Sequence, residues 1–329
     1  MTPAELSHTV LHAVRRAVGD GALQDVALPP RVLVERPRAG GRGDWATNAA
    51  LQLAGSVALP PREVAEILRA RLLDAPGIAR VDITGPGFLN LTLSADTRAR
   101  ADRGLVERVL REGPGYGAGE GLRGVDVELA LDEREVRARV VGEAVARLVE
   151  RQGGSVRFSG AGERLSVRAP HYDVAARLGA DAARWACLRP AAHDRVPEPG
   201  SLLRQAEGDN GLFTVQYAHS RARALLRNAA GLGVHPVYEV PADAPRLIAA
   251  LRDHPLVLLA AARHRAPDRL ARHLEVLADA LLGFQHTVLP LGDQKPSAAH
   301  RSRLALAEAA GTVLAGGLTL LGISAPVHL

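Results

Sequence analysis

Arg221, Arg223 and Arg227 lie within seven residues of one another in the stretch DNGLFTVQYAHSRARALLRNAA, residues 209–230. A guanidinium forks onto phosphate oxygens and stacks on bases, so such a set suits nucleic acid. Pattern alone favours an ordinary amphipathic helix: Val215, Ala218, Ala222, Leu225, Leu226 and Ala229 share one side, and Gln216, Ser220, Arg223 and Arg227 share a solvated one. Tyr217 and Arg221 run along the border, and Asp209 and Asn210 can cap the start. Other groupings are weaker. Ser166, His171 and Asp173 are triad residue types without a nucleophile elbow or oxyanion donors, which reads as coincidence. The twelve histidines show no HExxH or Cys–His spacing, so neither a metal nor a cofactor is expected. His254, His264 and His273 lie on or beside arginine-rich helices and read as solvated.

Elements must position these residues. A chain of 329 residues, 47% hydrophobic, supports two or three domains with cores. Its formal charge is +5, and Lys295 is the only lysine. A G- and C-rich genome would also inflate arginine, so the charge alone does not argue for RNA. Cys187 is the only cysteine, in the apolar run WACL, which excludes an internal disulfide and suits a reducing cytoplasm. No signal peptide is read at the N-terminus, and runs such as 256–262 are too short to cross a bilayer, so no membrane partner is expected.

Helical spacing appears over 5–18, a strand over 31–35, and a loop with Gly40, Gly41 and Gly43 follows. Asp44 is placed to cap a helix carrying Ala46 to Leu53, and Pro60 and Pro61 open another. VDITGPGFLNLTLS reads as a β-hairpin turning at Gly85, Pro86 and Gly87. Gly119, Gly121 and Gly124 satisfy GxGxxG but precede the strand 125–131 instead of following one, so residues 113–124 read as a linker. Helical patterns recur over 244–251, 255–263, 267–284 and 302–321 with short connections that suit a bundle.

The wording of these segments resembles the arginyl-tRNA synthetase family along most of the chain. VERPRAGGRGDWATNAALQLA and GPGFLNLTLS resemble its N-terminal domain, and VQYAHSR, APDRLARHLEVLADALLGFQHTVLP and LTLLGISAP resemble its DALR anticodon-binding domain. The resemblance implies an N-terminal α+β domain (1–112), a reduced, truncated Rossmann-like α/β middle (113–200) and an all-α C-terminal bundle (201–329). It implies that Phe88 and Asn90 touch the tRNA elbow, the ring stacking and the amide reading a base edge. It further implies that Arg221, Arg223 and Arg227 meet phosphates while Tyr217, Phe284 and Leu329 offer stacking or apolar surface. Gln285 stands where the family often has an aromatic, and Leu329 where it often has methionine.

The middle departs from the family. Asp132, Glu133, Arg134 and Glu135 hold the place of the His-x-Gly-His motif, so carboxylates stand where triphosphate would lie. Arg164, Leu165, Ser166, Val167 and Arg168 hold the place of Lys-Met-Ser-Lys, and Val167 cannot neutralise a leaving pyrophosphate. These readings imply a catalytically inactive, cytoplasmic pseudoenzyme that binds tRNA, arginine tRNA above all. The alternatives are a minimal or split arginine–tRNA ligase acting with a partner, and a scaffold that now holds a protein.

Overall fold

Leu89, Leu91 and Leu93 alternate along one strand and put every second side chain into a core, around which roughly the first hundred residues are built. The computed structural model describes residues 1, 3–24, 32–37, 42–130, 135–205 and 210–329. Arg31, Gly40, Gly41, Asp132, Glu133, Arg134 and Asp209, each part of an expectation above, lie outside them. The chain divides into two compact units, Met1–Asp102 and Arg103–Leu329.

The first unit contains α1 (Pro3–Gly19), β1 (Val34–Glu35), β2 (Trp45–Thr47), α2 (Ala49–Val57), α3 (Pro61–Leu73), β3 (Ile78–Thr84) and β4 (Phe88–Leu93), and α4 (Ala95–Glu112) leaves it. The strands form an antiparallel sheet in the order β1-β2-β4-β3. Leu6, Val10 and Val14 of α1 and Val64, Leu68 and Leu72 of α3 join Leu89 and Leu91 in one core. The expected hairpin forms, with Thr84 opposite Phe88 across the glycine–proline turn. Asp44 does not cap a helix. Residues 45–47 pair with β4 instead, because that pairing buries Trp45 and Thr47, and Asp44 accepts the Leu93 N–H at 2.8 Å.

The second unit begins with β5 (Asp126–Ala130), α5 (Val136–Arg151), β6 (Ser155–Phe158), β7 (Glu163–Arg164), α6 (Val174–Arg177), α7 (Ala180–Leu188) and α8 (Pro199–Leu203). It continues into α9 (Gly211–Gly231), α10 (Pro245–Arg263), α11 (Pro267–Phe284) and α12 (Ala298–Leu321). Its three strands are parallel in the order β6-β5-β7, the reduced nucleotide-fold-like sheet. The connection from β6 to β7 is short enough to press Gly162 onto β5. A Cβ there would lie 2.5 Å from the Leu129 carbonyl carbon, so only glycine fits the crossing.

Val127 and Leu129 of β5 are buried together with Val140, Ala144, Val145 and Leu148 of α5. Asp126 and Glu128, with their register partners Ser155 and Arg157, form the opposite face and are exposed. The Ser155 and Ser159 hydroxyls bond the Asp126 and Glu128 carboxylates. A parallel sheet is normally covered on both faces and carries apolar runs. This one has a polar outer face.

The residues 113–124, expected as a linker, are docked. Tyr116 is buried, donates to the Leu251 carbonyl at 3.1 Å and stacks on His254. His264 is exposed as expected, but His254 and His273 are not solvated. They face each other with ring centroids 5.3 Å apart, buried among α10 and α11, and His254 Nδ1 and His273 Nε2 have no hydrogen-bond partner among the described residues. Burial drives their pKa values down, to about 3 and about 4, with His273 and Arg151 adding repulsion at His254. One run also exceeds its expected length. Helix α12 is long and apolar enough to cross a bilayer by length and composition, but 78% of its apolar window is buried in the unit.

One side chain organises the α/β segment. Arg137, in the first turn of α5, is fully buried. Its Nε donates to Cys187 O at 3.1 Å, Nη1 to Arg168 O and Asp194 O at 2.8 Å each, and Nη2 to Pro190 O at 3.1 Å and Ala191 O at 2.8 Å. All five guanidinium donors are therefore used on main-chain carbonyls. Arg137→Ala is expected to lower the free energy of unfolding by more than about 3 kcal/mol in urea titrations, because it strands those buried carbonyls. Arg137→Lys, with fewer donors, recovers only part of it. A second expectation concerns acid. The folded pKa values of His254 and His273 lie below the unfolded value, so their contribution is complete above about pH 6.5 and is lost as pH falls towards 4. Between pH 7.5 and pH 5 the urea midpoint should fall by the equivalent of about 2 kcal/mol per imidazole. A flat profile contradicts the buried, neutral pair.

Candidate nucleic-acid interface

Helix α9 starts where the Asn210 side chain accepts the Phe213 N–H at 3.1 Å and donates to the Leu202 and Arg204 carbonyls at 2.9 Å each. Val215, Ala218, Ala222, Leu225 and Ala229 face the core. His219 donates from Nδ1 to the Gly311 carbonyl of α12 at 3.0 Å, and burial lowers its pKa, so the ring is a neutral link between helices. Gln216 and Ser220 were expected to be solvated but are buried. The segment after α12 lies over them, Gln216 donating to Ser324 O at 3.1 Å and Ser220 to Val327 O at 3.2 Å.

The exposed flank of α9 carries most of the expected residues. Phe213 and Tyr217 stack at 5.6 Å with an interplanar angle of 10°. One turn further, Arg221 is exposed, and its Nε donates to Gln285 Oε1 at 2.6 Å. Gln285, a departure from the family pattern, thus orients a cation. Arg227 Nη2 donates to His328 Nδ1 at 3.4 Å, and Leu329 beyond it is 58% exposed. Arg223 is exposed, and its charge reaches Glu308. Phe213, Gln285 and His328 were not anticipated. The i, i+4, i+8 spacing of Phe213, Tyr217 and Arg221 was the available signal for the first.

Phe284 does not join this surface. It is buried in the bundle core, so its ring offers no face to a base. In the first unit Phe88 is 43% exposed at the hairpin. Asn90 is 5% exposed, and its amide donates to Thr84 Oγ1 at 2.8 Å. As part of β4, flanked by β2 and β3, it is held inside the sheet with its amide bonded across the hairpin.

The residues expected at the places of the two ATP motifs lie elsewhere in the sequence. Glu135 precedes α5 with no side-chain cap bond. Arg164 ends β7, Ser166 is exposed, and Val167 packs against the core. Arg168 is exposed, but its backbone is tied at both ends, N–H to Ala192 O at 2.8 Å and carbonyl to Arg137. The triad types do not assemble: His171 bonds Glu198 at 2.7 Å, and Asp173 caps α6. Burial pushes the Cys187 thiol up to about 11, which makes it a poor nucleophile. Among the described residues no group of three or more His, Cys, Asp or Glu is placed to hold a metal ion.

Residues 215–329 match the DALR anticodon binding domain, and residues 4–93 match the arginyl tRNA synthetase N terminal domain. The fold and this surface therefore define a protein built from two tRNA-synthetase accessory domains around a small α/β segment. The arginine–tRNA ligase of Frankia alni is 26% identical over 558 residues, covering all of both chains. That of Kineococcus radiotolerans is 40% identical over 167 residues, 47% of this chain and 29% of the relative. Arginyl-tRNA synthetase of Thermus thermophilus shares the fold with a TM-score of 0.66 at 14% identity, covering 100% of each chain. The Plasmodium falciparum enzyme does so with 0.65 at 8% identity and 99% coverage of each. The chain belongs to the arginyl-tRNA synthetase family as a truncated member, 329 residues against about 558 in full-length relatives.

The different surroundings of the two phenylalanines give a direct check. Phe284→Ala should cost about 3–5 kcal/mol in urea denaturation, as for a buried ring, and Phe88→Ala less than about 1 kcal/mol. Equal costs contradict these placements.

Proposed function

We propose that this chain binds tRNA without activating an amino acid. The observation that carries the reading is the condition of the Arg164–Arg168 segment. Val167 packs inward where the family carries a lysine, and the Arg168 carbonyl is taken by Arg137. No cation stands at that position to meet a leaving pyrophosphate. The carboxylates at Asp132, Glu133 and Glu135 in the other motif add repulsion towards triphosphate.

Three functional segments follow. Residues 1–112 contact the tRNA elbow, with Phe88 as the exposed ring and Asn90 bracing it. Residues 113–200 are the catalytic remnant. Residues 201–329 hold the anticodon loop, with Arg221, Arg223 and Arg227 on phosphates and Tyr217 and Leu329 as stacking and apolar surface, while Phe284 supports them from the core. The polar outer face of the β5 sheet supports a chain that stands without a second catalytic half. A split enzyme would keep apolar side chains where the missing helices dock.

Two arms of one experiment test this. Filter binding to total tRNA should show affinity that falls steeply with salt, and Arg221→Ala with Arg227→Ala should reduce the log–log slope by about 1–2. Arginine- and tRNA-dependent ATP–pyrophosphate exchange by the same preparation should stay at background. Exchange above background, or no preference for tRNA over random RNA of equal length, would falsify the proposal.

A further inference from the structure

The middle segment bonds the last turn of α12 at two points and the chain that follows it at a third. Helix α12 ends on Gly322 at φ +71°, with the Gly322 N–H returned to the last turn. A Cβ at Gly322 would lie 2.7 Å from Arg184 Nη2 and 2.8 Å from Arg147 Nη2, so no other residue fits without moving the two guanidinia. Those guanidinia take the carbonyls that the helix leaves open. Arg147 Nε of α5 donates to Leu320 O at 2.8 Å, and Arg184 Nε of α7 donates to Leu321 O at 3.2 Å. Two cations thus stand at the negative end of a 24-residue helix, with Glu143 against Arg184 at 2.9 Å.

The third point is Asp181, in the first turn of α7. One carboxylate oxygen accepts the Ser324 N–H at 3.2 Å. The other accepts the Ser324 hydroxyl and, at 2.9 Å, Gln216 Nε2 of α9. A single carboxylate therefore joins the helix bearing the arginines to the segment that lies along it. Ser220 and Arg227 continue the same contact line to Val327 and His328.

We propose that the shortened α/β segment is a positioning platform: Arg147 and Arg184 hold the end of α12, Asp181 holds Ser324, and together they fix residues 322–329 along α9 and so set His328 and Leu329 beside Arg227. This rests on the RNA-binding reading above and gives a role to a segment whose catalytic motifs are degenerate. Asp181, Arg147 and Arg184 are positioning residues; they act through the covering segment. The platform makes the anticodon surface rigid before RNA arrives, which lowers the ordering cost of binding.

The test uses the full chain with Asp181→Ala and, separately, Ser324→Ala, which leaves α7 intact. Hydrogen exchange over residues 323–329 should rise towards that of open chain in both, with the rest of the bundle unchanged. Affinity for an anticodon stem-loop hairpin should fall about ten-fold for Asp181→Ala. In a chain lacking residues 324–329, the same Asp181→Ala change should alter affinity by less than about two-fold, since the two act on one contact. Unchanged exchange over 323–329, or additive losses of affinity, overturns the platform. Failure of the unaltered chain to hold the hairpin overturns the RNA-binding reading instead, and the exchange result still decides whether the segment is positioned by Asp181.

Discussion

A guanidinium with no access to water depends on its hydrogen bonds, and Arg137 has used all five donors on main-chain carbonyls. Those carbonyls come from the end of α7, the turn after it and the Arg164–Arg168 segment. The rest of the α/β segment is arranged around this constraint. The C-terminal end of α7 is neutralised by a cation, and the loop that follows is wrapped onto the start of α5. The Arg164–Arg168 segment is tied into the same arrangement through the Arg168 carbonyl and N–H.

The sheet beside it follows the same logic. Three parallel strands and one helix layer cannot cover two apolar faces. Here the uncovered face is polar, with serine hydroxyls bonding the carboxylates of the neighbouring strand. The covered face joins the helical bundle in a single core that includes Trp185, Leu148 and Leu318. One face of the sheet is thus polar and open, and the other shares its core with the bundle. The middle is held by its neighbours, and it in turn holds the segment that lies over α9.

Much of this was legible in the residues. The turn at Gly85–Gly87 and the long amphipathic helices follow from turn chemistry and periodicity, and the strand β5 follows from its place between a glycine-rich stretch and a helix. Long-range pairing was not legible. Trp45 to Thr47 became a strand because β4 offered a partner, although the local words suited a helix. Gln216 and Ser220 looked solvated because a helical wheel cannot show a segment a hundred residues away lying over them. His254 and His273 looked solvated for the converse reason, since polar type hid an interface between α10 and α11. The arginines at 221, 223 and 227 were visible in the sequence, whereas the contact by which Gln285 orients Arg221 needed the bundle.

The most direct measurement is sequencing of the RNA cross-linked to this chain inside its host. Binding of tRNA, as proposed above, predicts tRNA as the dominant species, with cross-links in the anticodon loop reaching α9 and residues 327–329. Cross-links spread over messenger and ribosomal RNA, with no enrichment of tRNA, would contradict it.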